Sequence, residues 1–170
     1  MYWPVFAVVL FIGTLVQITA GKFLTFAGGF VRPDFLALLA MFFALYAPRY
    51  HAPLVIWIVG FIADLLSLGP PGAFAFSFGL LGLLVLWARD LLYIDHPVSR
   101  LILVFSWTFL AQVFTFIIPW LLGRQSFFGF LPFLGLSCRI AIYTAVFTPL
   151  YYLMAPRPSW FGLPIPRQRF

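Results

Sequence analysis

The stretch Gly60-Phe61-Ile62-Ala63-Asp64-Leu65-Leu66-Ser67-Leu68-Gly69-Pro70-Pro71-Gly72 decides the fold. Its first part is apolar apart from one acid and one hydroxyl. Its last part breaks a helix, because two prolines remove two backbone donors and the flanking glycines permit a tight turn. Apolar runs flank the break, roughly Pro53 to Leu68 before it and Ala73 to Ala88 after it. The pattern predicts two antiparallel apolar helices joined by a tight turn. The first of them carries a carboxylate, Asp64, at a depth where ionised groups are expensive.

Outward from this hairpin the pattern repeats. Apolar spans are expected at about Trp3 to Ala20, Asp34 to Tyr46, Leu101 to Leu122 and Leu131 to Leu153. The second is short for a span. A cleavable signal peptide is the competing reading of the first, although no positive n-region precedes it. Six spans of about 20 residues fit within 170 and leave no room for a soluble domain. The expected division is a six-helix transmembrane domain over residues 1–155 and a Pro/Arg-rich tail over 156–170.

Composition points the same way. Hydrophobic residues make up 64% and charged residues 8%, with no Glu, four Asp and a mean hydropathy of +1.09. A soluble domain carries about 25% charged residues, and this chain cannot build a polar shell. Continuous apolar runs also differ from the alternation of a transmembrane barrel. The class is an all-α integral membrane protein. The net charge of +6 comes from basic residues scattered singly, which read as topology signals and lipid-headgroup contacts rather than a nucleic-acid surface. Arg49, Arg89, Arg100, Arg157, Arg167 and Arg169 fall on the side of the termini, and Lys22, Arg32 and Arg124 on the other. The excess predicts that both termini are cytoplasmic.

The informative residues are polar ones inside apolar spans. On this topology Asp34, Asp64 and Arg139 all fall in the outer half of the membrane, with Arg32 beside Asp34. An isolated charge there is costly, so Asp64 is expected to pair with Arg139, with Asp34 or Arg32 nearby. Gln17 and Gln112 lie at compatible depth and are expected to satisfy leftover hydrogen bonds. Small and polar residues form stripes at helical spacing: Gly60, Ala63, Asp64 and Ser67; Thr108, Ala111, Gln112 and Thr115; and Gly72, Ala75, Gly79 and Gly82. Such stripes read as close helix contacts, a polar ligand cavity or a partner-binding surface.

Chemistry finds little footing. His51 and His96 lie in expected loops far from Asp64, and the single Cys138 excludes an intrachain disulfide or a cysteine cluster. No metal-ligand spacing and no nucleophile elbow is present, so no catalytic residue, metal or cofactor is expected.

The order of these features resembles a family. Gln17 late in the first span, Arg32-Pro33-Asp34 opening the second, the Gly60 to Ser67 stretch with its Gly69-Pro70-Pro71-Gly72 turn, and Pro149-Leu150-Tyr151-Tyr152-Leu153 closing the last resemble the rod-shape-determining MreD proteins of bacteria. The resemblance covers nearly the whole chain. It implies a multi-pass inner-membrane scaffold of the cell-elongation machinery without enzymatic activity. Its implied partner is MreC, a single-span protein, and indirectly the MreB filament, the RodA glycosyltransferase and a penicillin-binding transpeptidase. The implied fold is similar to the six-helix substrate-binding subunits of energy-coupling-factor vitamin transporters. That likeness supplies the alternative, a membrane-embedded vitamin-binding subunit.

Overall fold

The computed structural model describes residues 2–23, 31–67, 69, 71–89, 97–123 and 129–154. Six helices make up these segments: α1 (Trp3–Phe23), α2 (Phe35–Tyr46), α3 (Ala52–Leu66), α4 (Ala73–Ala88), α5 (Pro97–Leu121) and α6 (Phe130–Met154). The boundaries follow local chemistry. Pro48 and Pro53 bracket the turn between α2 and α3, with Pro53 in the first turn of α3, where its missing N–H is harmless. α5 starts four residues earlier than the apolar run suggests, because Pro97 suits a first helical position and Val98, Ser99 and Arg100 continue the helix from it. Several expected loop features lie outside the described residues: Gly28, Gly29, Leu68, Pro70, Asp90, Asp95, His96, Arg124 and the tail after Met154.

The helices are not equivalent. α5 and α6 contain the segments Val98–Leu121 and Phe130–Tyr151, which are long and apolar enough to cross a membrane. The other four contribute shorter apolar segments. α2 has 12 residues, about 18 Å at 1.5 Å per residue, against a hydrocarbon core of about 30 Å. Every residue from Leu36 to Leu45 in it is buried. α2 is therefore an axial element wrapped by protein, and it meets α1, α3, α4, α5 and α6. A helix that is apolar all round belongs inside other helices or inside lipid. Here protein does the covering.

The core follows from that placement. Phe43, Met41, Leu38 and Leu36 of α2 are almost fully buried and form one cluster with Val55, Ile56 and Val59 of α3, Phe78 and Leu81 of α4, and Val104 and Trp107 of α5. Phe6 of α1 meets Phe43 edge to face, with ring centroids 5.2 Å apart. Outward-facing side chains are also apolar. Leu54, Trp57, Phe61 and Leu65 of α3, and Ile142 and Val146 of α6, are exposed. A surface of this composition suits lipid.

α3 and α4 form the expected antiparallel hairpin. Gly72 ends the turn with φ +92°, a left-handed conformation that glycine adopts without strain. The two helices touch at Gly60, where an added Cβ would sit 2.8 Å from the Ala75 Cα and 3.0 Å from the Phe74 carbonyl oxygen. One turn and more below, a Cβ at Gly82 would meet Ile56 at 2.8 Å. The stripe of small residues on α4 thus faces α3. Within the helix Gly79 is the looser member, since its nearest neighbour is the exposed Trp57 ring at 3.4 Å, and Gly72, expected in the same stripe, stands outside it with no atom within 4 Å of an added Cβ.

Candidate functional site

The polar residues gather near the ends of α1 and α3 and the starts of α2 and α4, joined by Gln112 of α5 and by Thr144 from the middle of α6. The reason lies in the helix termini. Each helix start leaves backbone N–H groups without intrahelical acceptors, and away from water they need protein partners. Two helix starts are buried here, and the side chains that serve them come from several elements.

At the start of α2 the Asp34 N–H donates to Thr144 Oγ1 of α6 at 3.0 Å. The Phe35 N–H donates to Gln17 Oε1 of α1 at 2.7 Å, and Gln17 Nε2 donates to the Pro33 carbonyl at 3.4 Å. The Ala37 N–H donates to Asp34 Oδ1 at 2.9 Å, so Asp34 is a side-chain N-cap. Two other helices and the cap residue itself thereby fix one helix end. At the far end of α2, Arg89 Nη1 donates to the Ala47 carbonyl at 2.7 Å. The short axial helix is held by side chains at both ends.

At the start of α4 the cap residue is Gly72, which has no side chain to offer. Asp64, eight residues earlier on α3, takes its place. Its Oδ1 accepts from the Phe74 N–H at 2.9 Å and its Oδ2 from the Ala75 N–H at 2.8 Å. Both carboxylate oxygens thus receive the amides of the first turn, where the helix dipole favours negative charge. Gly60 makes this possible by letting the backbones come close enough for the carboxylate to reach.

This geometry corrects the expected ion pair. Asp64 is buried and its carboxylate is occupied by α4, whereas Arg139 is exposed on α6, and no ion pair joins the two among the described residues. The charge of Asp64 is met by backbone dipoles, so no cation is required. Arg139 belongs to the outer surface of the bundle.

The other four members of the expected cluster do converge. Gln17, Arg32, Asp34 and Gln112 line one cavity of about 200 Å³, together with Ser67, Phe74 and Ile140. A second cavity of about 270 Å³ shares Ser67, Phe74 and Gln112 with the first and is completed by Ala73, Thr115, Phe116 and Phe133. Sequence reasoning missed Thr144, a lone hydroxyl among apolar neighbours that accepts the Asp34 N–H. It also missed that Asp64 is a cap. A signal for the cap was present: α4 begins without Ser, Thr, Asp or Asn, so its amides needed an acceptor from elsewhere. Among the described residues no group of three or more His, Cys, Asp or Glu is placed to hold a metal.

The class that emerges is a helical membrane protein built on a buried short helix, with Gln17, Asp34, Asp64, Arg89 and Thr144 holding helix ends. The family follows from comparison. The model of the rod shape-determining protein MreD matches residues 1–157, and the chain belongs to this family. Its role is accordingly in rod-shape determination. No curated protein and no solved structure matches the chain.

Proposed function

We propose that the protein is a non-catalytic scaffold of the bacterial cell-elongation machinery, resident in the inner membrane as six spans with both termini in the cytoplasm. In this reading it binds the membrane helix and adjoining segment of MreC, and through MreC serves MreB, RodA and the penicillin-binding transpeptidase. The family match over residues 1–157 carries the reading. Support comes from the wide apolar outer surface, where Trp57, Phe61 and Leu65 of α3 and Leu83, Leu84 and Trp87 of α4 are exposed. A broad apolar face of this kind offers van der Waals packing to a partner helix in lipid.

The test is recovery after gentle detergent extraction from a rod-shaped bacterium. MreC is expected to co-purify in stoichiometric amount, and depletion of the protein is expected to turn rods into spheres. The two cavities favour a second reading, a vitamin-binding subunit similar in fold to those of energy-coupling-factor transporters. Recovery of a transporter ATPase in place of MreC would overturn the scaffold reading and support that one.

A further inference from the structure

We infer that the paired cavities hold a phospholipid with a zwitterionic, amine-bearing headgroup of the phosphatidylethanolamine type. The headgroup occupies the chamber beside Asp34, and part of an acyl chain occupies the chamber beside Phe116.

The lining of the first chamber sets the charge of the ligand. It contains one carboxylate, Asp34, and one guanidinium, Arg32. Asp34 is 9% exposed and forms no ion pair among the described residues; its Oδ1 caps α2, and the carboxylate retains further lone pairs for a donor. Arg32 is exposed at the rim, and a guanidinium carries five donors, so a contact elsewhere leaves several for a phosphate. A purely anionic ligand would face Asp34, and a purely cationic one would face Arg32. A group carrying both signs satisfies both. Gln112 adds an amide whose side chain makes no hydrogen bond among the described residues, and the Ser67 hydroxyl still accepts while donating to the Asp64 carbonyl. An ammonium has three donors, matching the acceptors on Asp34, Gln112 and Ser67.

The second chamber sets the rest of the molecule. Phe74, Phe116, Phe133 and Ala73 give it an apolar wall, and it shares Ser67, Phe74 and Gln112 with the first. One ligand can therefore occupy both chambers only if it is polar at one end and apolar at the other. Each chamber alone is below the usual range for small-molecule sites, about 300–1,000 Å³, and the two joined fall within it. A protein bathed in bilayer meets such amphiphiles at high local concentration. The inference is independent of the MreC reading, because these chambers lie inside the bundle.

Native mass spectrometry of the detergent-purified full chain tests it. The probes are phosphatidylethanolamine, phosphatidylglycerol of the same chains, and glycerophosphoethanolamine as the headgroup alone. Phosphatidylethanolamine is expected to bind at roughly tenfold lower concentration than phosphatidylglycerol. Asp34→Asn keeps a side-chain oxygen for the α2 cap and is expected to abolish that preference. Should Asp34→Asn fail to fold, Gln112→Leu gives the same readout without touching a helix cap, and is expected to weaken phosphatidylethanolamine binding. Thr115→Trp, which fills the apolar chamber, is expected to weaken the lipid but leave the already weak headgroup fragment unchanged. Equal binding of the two lipids by the unsubstituted protein overturns the inference. So does a preference that survives unchanged in Asp34→Asn, or in Gln112→Leu where Asp34→Asn does not fold. A headgroup fragment that binds as tightly as the lipid overturns the lipid assignment.

Discussion

α2 and α6 are both apolar helices, yet they solve opposite problems. α2 has 12 residues, none of them exposed, and leaves no face to lipid. α6 has 25 residues, and Leu131, Ile142, Val146 and Leu150 on it are exposed. The short helix is too short to span and is covered by its neighbours. The long one can span and covers them. Polar side chains track this division. Asp34 and Gln17 bind the start of α2, and Asp64 binds the start of α4 within the same inner group, whereas Arg139 sits outside on α6. Position in the bundle, more than charge, therefore decides what a polar residue contributes.

Substitutions ranked by expected effect can break or sharpen this contrast. Asp64→Ala removes the acceptor from a buried amide at Ala75, at about 1–3 kcal/mol, and from a part-buried one at Phe74, at the lower end of that range. Thermal unfolding of the purified protein should show the largest loss of stability here, with Asp64→Asn intermediate because its amide offers one acceptor only. Gly60→Leu comes next. The atoms an added Cβ would strike are backbone, which cannot yield, so the top of the usual overpacking range of about 1–3 kcal/mol is expected. Intact yield and an unchanged melting temperature for Gly60→Leu would show that α3 and α4 are further apart than described.

Gln17→Leu is expected to cost about 1 kcal/mol, the scale of one interhelical hydrogen bond in a membrane protein. Hydrogen exchange at the Phe35 amide is the specific readout, since that donor loses its partner. Gly79→Leu should be milder than Gly60→Leu, because the ring of Trp57 is exposed and can turn aside. Arg139→Ala should lie within about 0.5 kcal/mol of the unsubstituted protein. The double change of Asp64 and Arg139 should equal the sum of the single ones, as for residues that share no contact. A double change milder than the sum would restore the ion pair.

Helix positions were legible in this sequence, and helix environments were not. The run Ala73 to Ala88 predicts α4 to the residue, and Asp34 to Tyr46 predicts α2 with its cap. Prolines and glycines punctuate apolar runs whatever surrounds them. Which runs lie inside is another matter. In a soluble protein, polar residues mark the outer face of each helix, but lipid is as apolar as a core, so Leu38 and Leu131 carry no label. The gathering of Gln17, Arg32, Asp34 and Gln112 was readable from the sequence, and the four line one cavity. Partner choice was not readable. Charges suggest other charges, and the acceptor need of Phe74 and Ala75 shows in the sequence only as a missing cap residue before α4, which does not say where the acceptor comes from.

The reach of Asp64 to Phe74 and Ala75 also has a consequence for biosynthesis. A ribosome delivers α3 before α4, so the carboxylate emerges ten residues ahead of the first of the two amides that shelter it. Until those amides arrive, the end of α3 keeps its acid in water or headgroups and cannot settle among apolar surroundings. The two helices must therefore commit as a pair. The Gly-Pro-Pro-Gly turn keeps that interval short, so a single ionised side chain waits for only about ten more residues of chain.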